Sequence, residues 1–215
     1  MLFNSLEFLI FFPCFFVLYW FFFNKKIKHQ NLLILIGSYF FYGWWDFRFL
    51  ALIILSTIVD YTVGLKIHDN NNLPKKRLLL WFSIFFNLSV LGFFKYYNFF
   101  IESWIDFVGL FGYELTSTWT LKIILPVGIS FYTFQTMSYT IDIYRKEIIP
   151  SNNFISFAAF VAFFPQLVAG PIERAKNLLP QMLRKRKFNY NQSVSGLRLI
   201  LNGMFKKVVI ADSLA

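Results

Sequence analysis

Charged residues are scarce in this sequence: they make up 15% of its 215 residues, where a soluble domain carries roughly a quarter. With hydrophobic residues at 57%, that shortage excludes a soluble globular domain and a disordered chain alike. Cysteine is nearly absent. Cys14 is the single one, so no intrachain disulfide can form; inside its apolar run it reads as a small lipid-buried hydrophobe. Histidine is limited to His29 and His68, which lie in basic polar segments without metal-ligand spacing. Both read as solvated loop residues, and no metal site can be assembled from them. Glycine-rich nucleotide loops, Gly-x-Ser-x-Gly elbows and His-Glu-x-x-His patterns are also missing. What the chain does have is aromatic bulk: 22% aromatic residues, with 31 phenylalanines among them. Such a surface needs lipid to cover it.

Acidic residues are outnumbered, 11 against 21 basic, for a net charge of +10. The placement of the surplus decides what it means. Lys25, Lys26 and Lys28 form one group, and Lys66, Lys75, Lys76 and Arg77 a second. Arg145 and Lys146 form a third, and Arg174, Lys176, Arg184, Lys185, Arg186 and Lys187 a fourth. Every group sits in a short segment beside an apolar run. No basic tail or aromatic stacking module accompanies them, so nucleic acid is excluded as a partner. Basic loops of this kind face the cytoplasm.

The apolar runs then order themselves. Leu6 to Phe23 extends roughly 27 Å as a helix, enough to cross a hydrocarbon core. Its basic residues follow it, and no small-residue cleavage site precedes Asn24, so it reads as a retained span with the N-terminus outside. Asn31 to Trp45 and Phe49 to Leu65 read as a helical hairpin turning externally at Gly43-Trp44-Trp45-Asp46. Leu78 to Phe94 is a further span. Tyr96 to Gly112 carries Glu102 and Asp106 among aromatics and reads as a separate interfacial segment; residues 113–122 read as an external loop. Ile123 to Ile141 is a span with Pro126 in its first turn. Ile148 to Ile172 lacks charge but is broken by Pro150, Pro165, Gly170 and Pro171. Basic segments bracket it, which predicts a re-entrant pair of short helices, tolerated only where protein or a cavity surrounds the backbone. Val194 to Ala215 begins another helix. The fold class is therefore all-α, a multi-pass membrane protein with about five spans, a re-entrant pair and a further helix, undivided over residues 1–215.

Within 123–141, Val127, Phe134 and Ile141 form a stripe that can face lipid, with Met137 beside it. Ser130, Thr133, Thr136 and Thr140 occupy one flank, Gln135, Ser138 and Asp142 the other. Those flanks serve either interhelical hydrogen bonding or the lining of a substrate tunnel. Asp60 is an intramembrane acid and so a functional candidate; pairing with Lys66 is the plainer reading. Asp142 can reach Arg145 or Lys146 as a surface anchor.

Several stretches resemble the membrane-bound O-acyltransferase family, in its alginate O-acetyltransferase-like branch. They are Leu125-Pro126-Val127-Gly128-Ile129-Ser130-Phe131-Tyr132-Thr133-Phe134-Gln135, then Tyr139 through Arg145, then Phe164-Pro165-Gln166-Leu167-Val168-Ala169-Gly170-Pro171-Ile172. Gly203-Met204-Phe205-Lys206-Lys207 leading to Ala211-Asp212 continues the series. Phe8-Leu9 through Pro13, Tyr42-Gly43-Trp44-Trp45 and Phe94-Lys95-Tyr96 match in order as well, so the resemblance covers the whole chain.

The resemblance implies a ring of helices around a thin core, with a cytoplasmic funnel and an external opening. An acyl donor such as acetyl-CoA would be a substrate, not a bound cofactor. Its acyl group would pass toward an extracytoplasmic polysaccharide such as alginate, with a periplasmic acetyltransferase and polysaccharide export machinery as partners beside the bilayer. Gln135 and Tyr139 then become tunnel candidates, with helix–helix bonding the equal alternative. Gln166, Gly170 and Pro171 become funnel candidates, against a packed turn. The family's catalytic histidine lies in a C-terminal half of longer proteins, and neither His29 nor His68 matches it. No catalytic residue is carried over. The expectation is an N-terminal half, truncated or completed by a separately encoded C-terminal half, and inactive alone. A non-catalytic membrane scaffold or transport component is the alternative.

Overall fold

The computed structural model describes residues 1–111, 125–167, 170–171 and 173–214, and no strand occurs among them. Helix α1 (Leu6–Val17) begins at Ser5, whose hydroxyl accepts from Phe8 N at 3.3 Å. It continues as a π-helical turn to Phe22. Helix α2 (Ile27–Asp46) and helix α3 (Leu50–Asp69) are separated at Asp46, which turns extended and caps the single turn 47–49. This is where the sequence places the break. Helix α4 (Leu73–Gly109) starts at Asn72, whose side chain caps Lys75 N. Helix α5 spans Ile129–Tyr144, α6 Phe154–Val161, α7 Phe164–Leu167, α8 Ala175–Leu183 and α9 Tyr190–Phe205. A π-helical stretch over 206–211 leads to Leu214.

Four expectations are corrected. Tyr96 to Gly109 is not a separate element, because α4 runs unbroken for 37 residues; neither Lys95 nor Gly92 breaks a helix as a proline would. Pro126 precedes α5 instead of lying in its first turn, and the helix starts only after Gly128. The histidines lie on helices, His29 in the first turn of α2 and His68 in the last of α3, both exposed. Helix α8 forms despite Pro180, within a segment that reads as a basic loop. The predicted loop 113–122 lies outside the described residues.

Helices α3, α4 and α5 pack together, while α2 packs on α6 and α6 on α8. The packing is inside-out for a water-soluble protein. On α4, Ser83, Asn87 and Leu91 are buried at four-residue spacing, while Trp81, Phe82, Phe85 and Leu88 on its other faces are exposed. Phe85 is 73% exposed and Asn87 only 1%. Two helical stretches, Ile27–Asp69 (interrupted at 47–49) and Leu73–Gly109, are long and apolar enough to cross a membrane. Polar groups turned inward with large apolar groups outward are what a lipid solvent selects.

Contacts also sort the molecule into two ends. At one end Arg186 bonds Asn31, just past the 25–28 basic group. Lys176 pairs with Glu147, beside Arg145 and Lys146, at 3.3 Å. Gly64, next to Lys66, lies against Tyr139 and Ile143 so closely that a Cβ there would stand 2.7 Å from the Tyr139 ring. The four basic groups thus share an end. At the opposite end the Met1 ammonium donates to Phe41 O at 3.0 Å and the Tyr42 hydroxyl to Val127 O at 2.9 Å. Asp46 pairs there with Arg48 at 2.6 Å, and those hydrogen bonds hold its carboxyl below the usual carboxylate range.

Candidate functional site

A buried polar seam joins α3, α4 and α5. The Asp60 carboxyl accepts from Ser83 Oγ at 2.5 Å and Asn87 Nδ2 at 2.8 Å. Asn87 Oδ1 in turn accepts from Ser56 Oγ at 2.9 Å and from Thr136 Oγ1 at 3.3 Å. Ser83 Oγ lies 3.1 Å from Thr140 Oγ1. Asp60 is wholly buried and has no ion-pair partner among the described residues. The expected pairing with Lys66 is therefore corrected: six positions apart, the two side chains leave different faces of α3, and Lys66 is exposed. Asp142 is corrected likewise. It is 2% exposed, its Oδ2 lacks a hydrogen-bond partner, and it makes no ion pair with Arg145 or Lys146.

Chain geometry brings the segment after Ile148 deep into the helices. Asn31 is the pivot. Its Nδ2 donates to Ser156 Oγ and to the Met182 carbonyl, both at 2.8 Å, so one amide ties α6 on the way in and α8 on the way out. Between these points the chain climbs until Phe164 N donates to Ser38 Oγ at 3.2 Å. The Phe164 ring packs on Phe41, Phe11 and Phe15. Leu167 then meets the turn before α5. Gly128, at φ 78°, approaches so closely that a Cβ would stand 2.2 Å from the Leu167 carbonyl oxygen. Only glycine meets both demands. From Asn31 to the Tyr42 level, where Val127 is held, α2 rises roughly 16 Å.

Two cavities share the Phe164-Pro165 turn as a wall. One, of about 270 Å³, lies between α1, α2 and α8, lined by Phe15, Trp20, Ile34 and Leu178 with Gln181 and Arg186 at its polar side. The other, of about 670 Å³, lies between α1 and α9, lined by Phe8, Phe12, Ile200, Met204 and Val208 with Lys207 as its cation. Both have walls that take an apolar group; Arg186 offers the smaller one a cation unpaired among the described residues, whereas Lys207 at the larger is already paired with Asp212. Burial pushes the Arg186 guanidinium down from its ordinary value, yet arginine stays charged at such sites.

The residues singled out by sequence are distributed around this arrangement. Gln135 is buried and donates to Phe160 O at 3.0 Å. Tyr139 is fully buried, its ring tilted against Phe157 at 4.4 Å between centroids, with no hydrogen-bond partner for its hydroxyl. Gln166 is half-buried, its Oε1 also without a partner, beside the shared cavity wall. Gly170 and Pro171 are exposed. Gln135 and Tyr139 lie together against α6, while Gln166 stands apart on α7. Asn31 and Arg186 were not legible as site residues. Asn31 sits at the edge of an apolar run like any boundary residue, and Arg186 is one of four consecutive basic residues. His29 and His68 lie away from the cavities just described. No group of three or more His, Cys, Asp or Glu suited to a metal ion occurs among the described residues.

Comparison with known proteins finds relatives along nearly the whole chain. The probable alginate O-acetylase AlgI of Pseudomonas aeruginosa is 40% identical over 222 aligned residues, covering 100% of this chain and 41% of that protein. Its counterpart from Azotobacter vinelandii is 39% identical, covering 100% of this chain and 42% of that protein. The peptidoglycan O-acetyltransferase of Helicobacter pylori is 35% identical, covering 89% and 40%. No family model and no solved structure matches the chain. The chain spans about two fifths of the length of these curated relatives. Over its whole length, then, it resembles the alginate O-acetylase branch of the membrane-bound O-acyltransferase family, as an N-terminal portion of such proteins.

Proposed function

We propose that these residues form the membrane-embedded donor-side part of an O-acetyltransferase that modifies an extracytoplasmic polysaccharide. The observation that carries this reading is the identity with two kinds of glycan O-acetylating enzyme, 40% and 35%, across nearly all of the chain. The geometry supports a multi-pass arrangement in the inner membrane. With the four basic groups at one end, the positive-inside rule puts that end in the cytoplasm and Met1 outside. The path from Asn31 to Gly128 and back to Met182 supports a re-entrant segment entered from the cytoplasm, because its backbone is broken yet surrounded by protein.

In this reading the acyl donor, of which acetyl-CoA is the simplest, approaches from the basic end. Its thioester carbonyl is carried past Tyr139 and Gln135, which lie against α6, toward Gln166 on α7. Those side chains orient and exclude water; none of them is a proton-transfer base. Such a base is the role of the family histidine, and His29 and His68 are exposed at helix ends on the cytoplasmic side, where neither serves it. A periplasmic acetyltransferase would receive the acetyl group, and polysaccharide export machinery would bring the acceptor.

The test is polysaccharide O-acetylation in cells that make alginate but lack their own acetylase. These 215 residues expressed alone are expected to leave the O-acetyl signal at background by proton NMR. Co-expressed with, or fused to, the remaining three fifths of a relative, they are expected to restore it. Acetylation by the 215 residues alone would contradict the division of labour. A fused chain that inserts but never acetylates would favour the scaffold or transport reading.

A further inference from the structure

The smaller cavity has a feature that acyl transfer does not require. Arg186 lies half-buried between Tyr19 and Asn31, its guanidinium carbon 5.5 Å from the Tyr19 ring centroid and its amino group on the Asn31 side-chain oxygen. Its Nε is buried without a partner, and no carboxylate stands within ion-pair distance among the described residues. A partly desolvated cation without an anion is costly, and such cations are normally paired. Around it the fold gathers further positive charge: Arg184, Lys185 and Lys187 from its own run, and Lys25, Lys26 and Lys28 just before Asn31. Behind it the cavity of about 270 Å³ has walls of Phe12, Phe15, Phe16, Trp20, Ile34 and Leu178. Phe188, two positions after Arg186, packs edge-on against Trp20 and Phe16. The pocket thus has a cationic mouth and an aromatic interior, at the end where the basic groups meet.

We propose that this cavity binds one anionic phospholipid, with the phosphate on the Arg186 guanidinium and part of an acyl chain among the aromatic walls. The proposal rests on the membrane reading given above. Charge complementarity selects the headgroup: a guanidinium offers paired N–H donors to phosphate oxygens, and clustered basic residues at the cytoplasmic surface attract anionic lipid. The interior selects a chain. Its volume is too small for a whole lipid, and its walls offer few donors for a polar guest. Asn31 makes the contact consequential, because the same amide that fixes Arg186 also holds Ser156 and Met182. A lipid phosphate on Arg186 would lock the base of the segment that passes through Phe164.

The experiment uses the whole chain purified in a non-ionic detergent and stripped of lipid. Phosphatidylglycerol, phosphatidylcholine with the same chains, and inorganic phosphate are titrated separately, with occupancy read by native mass spectrometry. Phosphatidylglycerol is expected to bind at least tenfold more tightly than phosphatidylcholine, and millimolar phosphate is expected not to displace it. Arg186→Gln should lose at least fivefold in phosphatidylglycerol affinity with phosphatidylcholine unchanged. Arg186→Lys should retain part of the preference, and Lys187→Gln should change it less than twofold. Leu178→Phe, which fills the cavity, should weaken both lipids. Equal phosphatidylglycerol binding by wild type and Arg186→Gln would overturn the site, and displacement by inorganic phosphate would make it a free-anion site. A chain that stays monodisperse after detergent removal would instead overturn the membrane reading itself.

Discussion

Helices α5 and α9 are both 16 residues long, yet they live in opposite surroundings. Helix α5 buries Tyr132, Thr133, Gln135, Thr136, Tyr139, Thr140 and Asp142. Helix α9 buries nothing, and its Leu199 and Leu201 are 72% and 66% exposed. Helix α5 thus turns polar side chains inward, and α9 leaves leucine bare on the outside. Water would arrange them the other way. The difference teaches that α5 is held by directional contacts to protein, while α9 turns its apolar surface to lipid or to further polypeptide.

That contrast can be broken from the packed side first. Gly128→Val should be the most damaging change. A β-branched residue at φ 78° costs about 1–3 kcal/mol in backbone strain alone, and its Cβ would meet the Leu167 carbonyl. Size-exclusion in detergent should show loss of the folded species, and a normal profile would mean that α7 does not seat on that turn. Next, Phe85→Lys on the outer face of α4 should raise the insertion free energy by up to about 2.5–3.5 kcal/mol, the value for a charge at a helix centre. A translocon insertion assay reads this, and no change would place that face in water. Asp60→Ala should cost about 2–3 kcal/mol in thermal unfolding, because Ser83 and Asn87 would lose their shared acceptor. Asp60→Asn should recover much of that by keeping one carbonyl oxygen; equal loss in both would show that the seam needs a carboxyl in particular. Leu199→Ala on α9 should stay within about 0.5 kcal/mol, and a larger loss would reveal a packing partner for that face.

Much of this architecture is legible in the amino-acid order because local chemistry enforces it. The Asp46 break, the exposed Phe134 in a stripe whose Val127, Met137 and Ile141 are partly buried, and the two short helices between Ile148 and Ile172 follow from charge, periodicity and proline placement. The misreadings share a cause. Asp60 finds Ser83 and Asn87, which come from a different helix, and no spacing rule within α3 points to them. Tyr96 to Gly109 carries polar residues that suggest a new element, but nothing in it stops the preceding helix. The candidate site was legible only in part. Gln135, Tyr139 and Gln166 lie near the segment that the sequence marks as broken, whereas Asn31 and Arg186 acquire their roles from contacts across 155 positions in sequence. Resemblance supplied the reaction class, which neither periodicity nor charge could reach.

The proposed bundle crosses the membrane with its basic end in the cytoplasm. Cysteine accessibility in intact cells tests it most directly, in a Cys14→Ser background with single cysteines at Phe47, Lys75 and Lys185. A membrane-impermeant maleimide should label the cysteine at 47 from outside, and those at 75 and 185 only after the cells are opened. Labelling of 75 or 185 in intact cells, with 47 silent, would contradict it.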